Sequence, residues 1–218
     1  MSQIVKTRRR YDSRRRRDQA AQTRRDIVAA ADGLFRARGY SGTSMPTIAA
    51  EAGVVVETIY RAFGSKAGLF KAVVEAAVAG GAVRAETPPE DRPAIRAVIE
   101  EMDPRRQLEL YAATQPGIHR RAGPLNRALA GGAATDPELR VLLLELEAQR
   151  LAGLGRMAAL LAERGALRAD LPVDEARDII WTLCSPAVYD LLVVDRGWTS
   201  KRYRDWLASA LARELLDP

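Results

Sequence analysis

Cysteine and histidine are almost absent from this 218-residue chain, which has one of each, Cys184 and His119. A lone cysteine closes no internal disulfide, and one histidine beside one cysteine makes no zinc cluster at any spacing. Aromatic residues are only 6% of the chain. β-Branched runs bounded by turns are scarce as well, which argues against a sheet and for a mainly helical protein. No apolar run reaches the roughly 18 residues of a membrane span, and the N-terminus lacks the apolar stretch of a secretory leader. The expected location is the cytoplasm, with no membrane partner. Enzyme signatures are missing too: there is no glycine-rich phosphate loop, no HExxH, no serine nucleophile elbow and no Cys/His pair at useful spacing.

What the chain does hold is arginine, thirty residues against four lysines, and a net charge of +6. Residues 1–25 contain Lys6, Arg8–Arg10, Arg14–Arg17, Arg24 and Arg25 against Asp12 and Asp18, so this stretch alone carries +8 and the remainder −2. A basic arm on a nearly neutral body points to a polyanionic partner. Residues 1–20 show no apolar periodicity and are expected to be a disordered arm. Arg14, Arg15, Arg16 and Arg17 are its candidate DNA contacts, by phosphates or the minor groove. A solvated charge run or a non-native leader are the readings left open beside this.

From Thr23 or Arg24 to Arg38 the spacing predicts a helix whose apolar stripe is Ile27, Val28, Ala31, Leu34 and Phe35, stopped by Gly39. Thr43 to Lys66, TSMPTIAAEAGVVVETIYRAFGSK, then reads as two short helices about a turn at Gly53, where glycine adopts a positive φ without steric cost. Ser44 or Thr43 caps the first of these, with Pro46 in its first turn. Ile48, Ala49 and Ala52 share one face, and Val54, Ile59, Ala62 and Phe63 are expected to point inward. That is a helix-turn-helix, whose second helix enters the DNA major groove. Val55, Val56, Glu57, Thr58, Tyr60 and Arg61 are left for DNA: Arg61 for guanine, Glu57 for cytosine N4, and Val55 or Val56 for a thymine methyl. Both charges are equally readable as solvated. Ser65 caps a further helix, Lys66 to about Ala79, whose positive end suits a phosphate.

Thr43, Ile48-Ala49, Ala52-Gly53-Val54, Thr58-Ile59-Tyr60, Phe63 and Gly64-Ser65-Lys66 together resemble the signature of the TetR family of bacterial transcription regulators. The resemblance implies phosphate contacts for Thr43, Tyr60 and Lys66, and a helix after Lys66 that links DNA-binding and ligand domains. Two departures stand out. Val55 replaces the usual Ser or Thr cap of the recognition helix, a loss worth about 1 kcal/mol. Ala67-Gly68 stands where an acidic residue is common.

The expected domains are therefore the arm 1–20, a three-helix DNA-binding domain 21–66, and a helical effector-binding and dimerisation domain 67–218. In the last, Gly80-Gly81 and Thr87-Pro88-Pro89 suggest a loop. Pro93 opens a helix that Pro104 closes, a second helix containing Leu108 and Tyr111 ends at Pro116-Gly117, and a third begins near Leu125. Asp136-Pro137 starts a long helix to about Glu163, stopped by Gly165. An effector pocket fits between this helix and those of residues 91–132, with Met102, Leu108, Tyr111, Leu146 and Trp181 as candidate lining. His119 reads as a core or solvated histidine.

Asp174 to about Val194, disturbed at Pro186, and a last helix from Thr199 or Ser200 carry stripes wider than one packing face needs. A second chain is expected to cover them through Ile180, Cys184, Val188, Leu191, Tyr203, Trp206, Leu207 and Ala210. SPAVYDLLVVDRGWTSKRYRDWL also resembles dimerising C-terminal domains of one TetR subset. The expected protein is an all-α, homodimeric, ligand-responsive regulator, a repressor released from a palindromic operator by a small-molecule effector, with no metal or cofactor. A nonspecific DNA binder driven by the arginine arm, or a helical enzyme, is the alternative.

Overall fold

The computed structural model describes residues 2–217, the side chains of residues 2–14 excepted. Every regular element among the described residues is helical: α1 (Ser2–Arg38), α2 (Met45–Glu51), α3 (Val56–Phe63), α4 (Lys66–Ala79), α5 (Ala82–Ala85), α6 (Pro93–Glu100), α7 (Pro104–Gly132), α8 (Pro137–Glu163), α9 (Val173–Leu183), α10 (Pro186–Tyr189) and α11 (Ser200–Leu215). A 3₁₀ turn (Pro89–Asp91) precedes α6 and a π-helical segment (Asp190–Asp195) follows α10. The chain divides into two compact units, Met1–Ala76 and Ala77–Pro218, with the division inside α4.

In the first unit, Ile27, Val28, Ala31, Leu34 and Phe35 of α1 are buried, as their spacing requires. Phe35, Tyr40 and Phe70 pack ring on ring, with centroids 4.9–5.8 Å apart, and join α1, the following turn and α4. Gly53 has φ +64° at the turn between α2 and α3. The helix α1 begins at Ser2, so the stretch expected to be disordered is helical. Arg, Lys, Gln and Ala are good helix formers, and no glycine interrupts α1 before Gly33.

The second unit is organised by α7, which packs against α6, α8, α10 and α11. Pro104 opens α7 behind the Asp103 cap and does not close α6. Where a break was expected at Pro116-Gly117, α7 continues through both Pro116 and Pro124. Each proline removes one helical hydrogen bond. The buried row Gln107, Leu108, Ala112, Gln115, His119, Ala122, Leu125 and Leu129 runs past both of them, so tertiary packing carries the helix across. The expected helix from Asp174 to Val194 is instead broken at Cys184–Ser185. Ser185 starts afresh by accepting from the Val188 amide at 3.2 Å, one residue before Pro186. Asp136 caps α8 as anticipated, accepting from the Glu138 and Leu139 amides.

Gly68 stands where its Cβ would run into the Phe63 carbonyl, the last of α3. Gly68→Ala should therefore lower stability by about 1–3 kcal/mol, read from the urea midpoint, by forcing α4 away from α3. His119 lies 5% exposed in the second unit, stacked on Tyr189 at 4.7 Å with Tyr203 edge-on. Burial lowers its pKa from 6.5 to about 4, helped by Arg150 and opposed by Asp190 and the Cys184 backbone. The unfolded chain takes up this proton at a higher pH than the folded one, so the contribution is intact above pH 6.5 and is lost as pH falls towards 4. Going from about pH 7.5 to about pH 5 should cost ~2 kcal/mol from this group alone. Urea midpoints at the two pH values, compared with those of His119→Phe, measure it: the variant should lose that part of the dependence.

Candidate functional site

The two-turn helix α3 is held at three places. Ile59 is fully buried and is its one buried side chain. At its C-terminal end the Arg24 guanidinium donates to the Ala62 carbonyl at 2.6 Å and lies 4.1 Å from the Phe63 ring centre. Beyond Gly64, Ser65 accepts from the Gly68 amide at 3.0 Å and caps α4. At the N-terminal end Val55 occupies the cap position with extended backbone and no side-chain hydrogen bond, as its side chain dictates.

This leaves one face of α3 outward. Val55 is 64% and Tyr60 50% exposed, and Glu57 and Arg61 are exposed beside them, while Val56 and Thr58 are half-buried. The inward set is narrower than the spacing suggested. Ala62 is exposed, and Val54 and Phe63 are only half-buried, because eight residues offer just one position to the core. Lys66 sits half-buried at the start of α4, its ammonium 4.1 Å from the Tyr40 ring centre.

Thr43 is a correction. It is 1% exposed, and its hydroxyl donates within the fold to the Gly39 carbonyl at 2.8 Å, with the Leu34 carbonyl at 3.2 Å. The cap of α2 is Ser44, which accepts from the Thr47 amide. Thr43 therefore spends its hydroxyl tying the end of α1 to the start of α2. In the arm, Arg15, Arg16 and Arg17 are exposed on α1, and the Arg14 side chain lies outside those described. Arg24, counted only as arm charge from the sequence, is the residue that sequence reasoning missed. Its partner is 38 positions away, and no local spacing announces it.

In the second unit the expected contact residues for another chain are mostly consumed internally. Ile180, Cys184, Tyr203, Leu207 and Ala210 are between 0% and 4% exposed in the single chain. The stripes looked too wide because α7, α8, α9 and α11 cover one another from several sides. Val188 and Trp206 are half-buried, Leu191 is 58% exposed, and Val141, Leu144 and Val194 are exposed apolar residues outside the expected set.

The expected pocket residues separate in the same way. Met102 is 71% exposed, beyond the end of α6, and Leu146 stands outside the core cluster. Leu108, Tyr111 and Trp181 do come together there, with Cys184, Tyr189 and Tyr203. Tyr111 lies against the Cys184 thiol, and burial raises both pKa values, that of Cys184 to about 12. Arg150 stacks 4.6 Å from the Trp181 ring centre while donating to the Trp181 carbonyl and to Glu147. Burial raises the Tyr203 pKa as well. One His119 nitrogen faces the Cys184 backbone, while the other and the Tyr203 hydroxyl have no hydrogen-bond partner. Among the described residues, no three His, Cys, Asp or Glu side chains gather to hold a metal, and no helix is long and apolar enough to cross a membrane.

Comparison with known proteins adds to this geometry. No curated protein matches the sequence. Several solved structures share the fold. FadR from Bacillus subtilis, in complex with stearoyl-CoA, is 18% identical over 87% of this chain and 97% of its own, with a TM-score of 0.65. NalD from Pseudomonas aeruginosa, the secondary repressor of the MexAB-OprM multidrug efflux pump, is 24% identical over 89% and 97%, also at 0.65. A Saccharomonospora viridis protein in complex with choline is 20% identical over 90% and 99%, at 0.64. Residues 27–73, which span the buried face of α1, the helix-turn-helix and most of α4, match the bacterial regulatory proteins of the tetR family. In this stretch the chain is similar to the tetR family of bacterial regulatory proteins, and over most of its length it shares the fold of these solved structures.

Proposed function

We propose that this DNA-binding transcriptional regulator represses its target by binding a palindromic operator as a homodimer, and that a small molecule held in the second unit releases it. The observation that carries the DNA reading is the outward face of α3. A helix anchored by Ile59 and tied at its C-terminal end presents Glu57, Tyr60 and Arg61 to solvent, with the capped start of α4 following directly. In this reading Arg61 and Glu57 read base edges, while Tyr60, Lys66 and the amides of the first turn of α4 take phosphates. Val55 and Val56 make apolar base contacts, and Thr58 supports the face from its half-buried position. Arg14 to Arg17 add sequence-independent attraction.

Two-fold symmetry needs a second copy. Leu191 and Val194 after α10, with Val141 and Leu144 of α8, are the exposed apolar side chains we assign to that contact. Effector responsiveness is supported by two proteins of the same fold that hold small molecules, stearoyl-CoA in one and choline in the other. For release, the effector must bind the DNA-competent and DNA-free states unequally.

Selection of duplexes from a random pool by the full chain tests the operator. An enriched inverted repeat is expected, and enrichment without two-fold symmetry, or none at all, would leave only a nonspecific binder. On the selected duplex, Lys66→Ala should weaken binding to all sequences and reduce the salt slope by about 1, whereas Arg61→Ala should relax preference at one base pair. Thr43→Val should instead lower stability by about 1 kcal/mol with the slope unchanged, since its hydroxyl is spent inside the fold. Light scattering should find a dimer in the native chain and a monomer once Leu144→Asp and Leu191→Asp are combined.

A further inference from the structure

The centre of the second unit contains polar groups that the fold itself leaves unanswered. The imidazole of His119, on α7, is 5% exposed, and the Tyr203 side chain, on α11, is fully buried. One imidazole nitrogen faces the Cys184 backbone, and the other, with the Tyr203 hydroxyl, lacks a hydrogen-bond partner. Buried polar atoms are nearly always paired, so two orphans on two neighbouring rings mark a place where a water or a ligand completes the bonding. The rings are neighbours in fact: His119 and Tyr203 lie 6.2 Å apart centre to centre, and Tyr189 of α10 packs on both, at 4.7 and 5.0 Å.

The charges acting on this cluster are Asp190, Arg127, Arg150 and Arg120, and all but the exposed Arg120 are paired. Asp190 accepts from the Arg127 guanidinium at 2.8 and 3.0 Å. Arg150 is bound to Glu147 and to the Trp181 carbonyl. An incoming cation would find no spare counter-charge and an anion only the exposed Arg120, and burying an uncompensated charge is far costlier than burying a hydrogen-bonded neutral group. The aromatic surface and the unmet donor and acceptor capacity favour another class of molecule.

We infer that His119 and Tyr203 form the polar end of the effector site, and that it takes an uncharged, hydroxyl-bearing aromatic molecule of phenol type. A neutral imidazole supplies one donor and one acceptor, and the tyrosine hydroxyl supplies either. A phenolic hydroxyl can donate to the acceptor nitrogen of His119 while accepting from Tyr203, with its ring packed against the aromatic cluster. The lowered pKa of His119 keeps the imidazole neutral at physiological pH, which suits this exchange. The inference rests on the reading of the second unit as an effector domain, but it concerns binding and can be measured without DNA.

The test uses the full chain, free of DNA, with phenol as probe and benzoate and benzyltrimethylammonium as charged counterparts. Phenol should raise the melting temperature with concentration and give a calorimetric isotherm, while the two ions should do neither. Tyr203→Phe removes a single oxygen and His119→Phe keeps a ring in place; each should weaken phenol binding about tenfold, the loss expected when a buried hydrogen bond goes unmade. Binding of the ions equal to that of phenol, unchanged binding in both variants, or no binding at all would overturn the assignment, the last meaning that buried water alone fills the site. The same phenol titration on the DNA complex separates the two readings. Phenol bound at His119 and Tyr203 without loss of DNA affinity would keep the site and sink the proposed release.

Discussion

A helix ends with carbonyl groups that have no partner within the helix, and a protein built from short helices must answer that demand many times. Here arginine answers it. Arg24 donates to Ala62 at the end of α3, and Arg121 to Ala77 and Val78 at the end of α4. Arg164 donates to Ile99 and Glu101 at the end of α6, and Arg150 to Trp181 near the end of α9. In each case a positive guanidinium also meets the negative end of a helix dipole. The planar fork of arginine spans two carbonyls where lysine would reach one, which gives the arginine excess a structural use beyond nucleic acid.

For the DNA-reading unit this constraint is decisive. A helix of eight residues is far below the length that holds itself together in water. One buried residue, Ile59, is a thin anchor. The guanidinium of Arg24 at one end, and the tight passage through Gly64, Ser65 and Gly68 into α4, therefore fix which face of α3 looks outward. The missing cap at Val55 is tolerated because the opposite end is so firmly tied. Gly68, which departs from the family pattern, follows from the same closeness, since the Phe63 carbonyl occupies the space of a side chain.

The second unit uses its middle helix differently. A single face of α7 places Gln107, Gln115 and His119 among buried Leu, Ala and Gly residues. The Gln107 amide finds the Val98 carbonyl at 2.8 Å and so pins α6. The Oε1 of Gln107 has no partner, and one His119 nitrogen is likewise left with capacity to spare.

The helix-turn-helix, the all-helical class and the cap at Asp136 were legible in the sequence because they depend on neighbours within four residues. Glycine at a positive φ, a carboxylate two or three residues before an amide, and apolar spacing along one helix are local facts. The continuity of α7 was not legible: its buried face includes two glutamines and a histidine, which hide the stripe, and its prolines mimic stops. The burial of Thr43 and of the Tyr203 face was equally hidden, because spacing reports that a face is covered but not which partner covers it. The sequence by itself determined that this chain makes helices and carries a DNA-reading pair among them. Only the tertiary structure decided which residues remain outside to read, which arginines close the helix ends, and that His119 meets Tyr203, since those pairings join positions tens of residues apart and arise from packing.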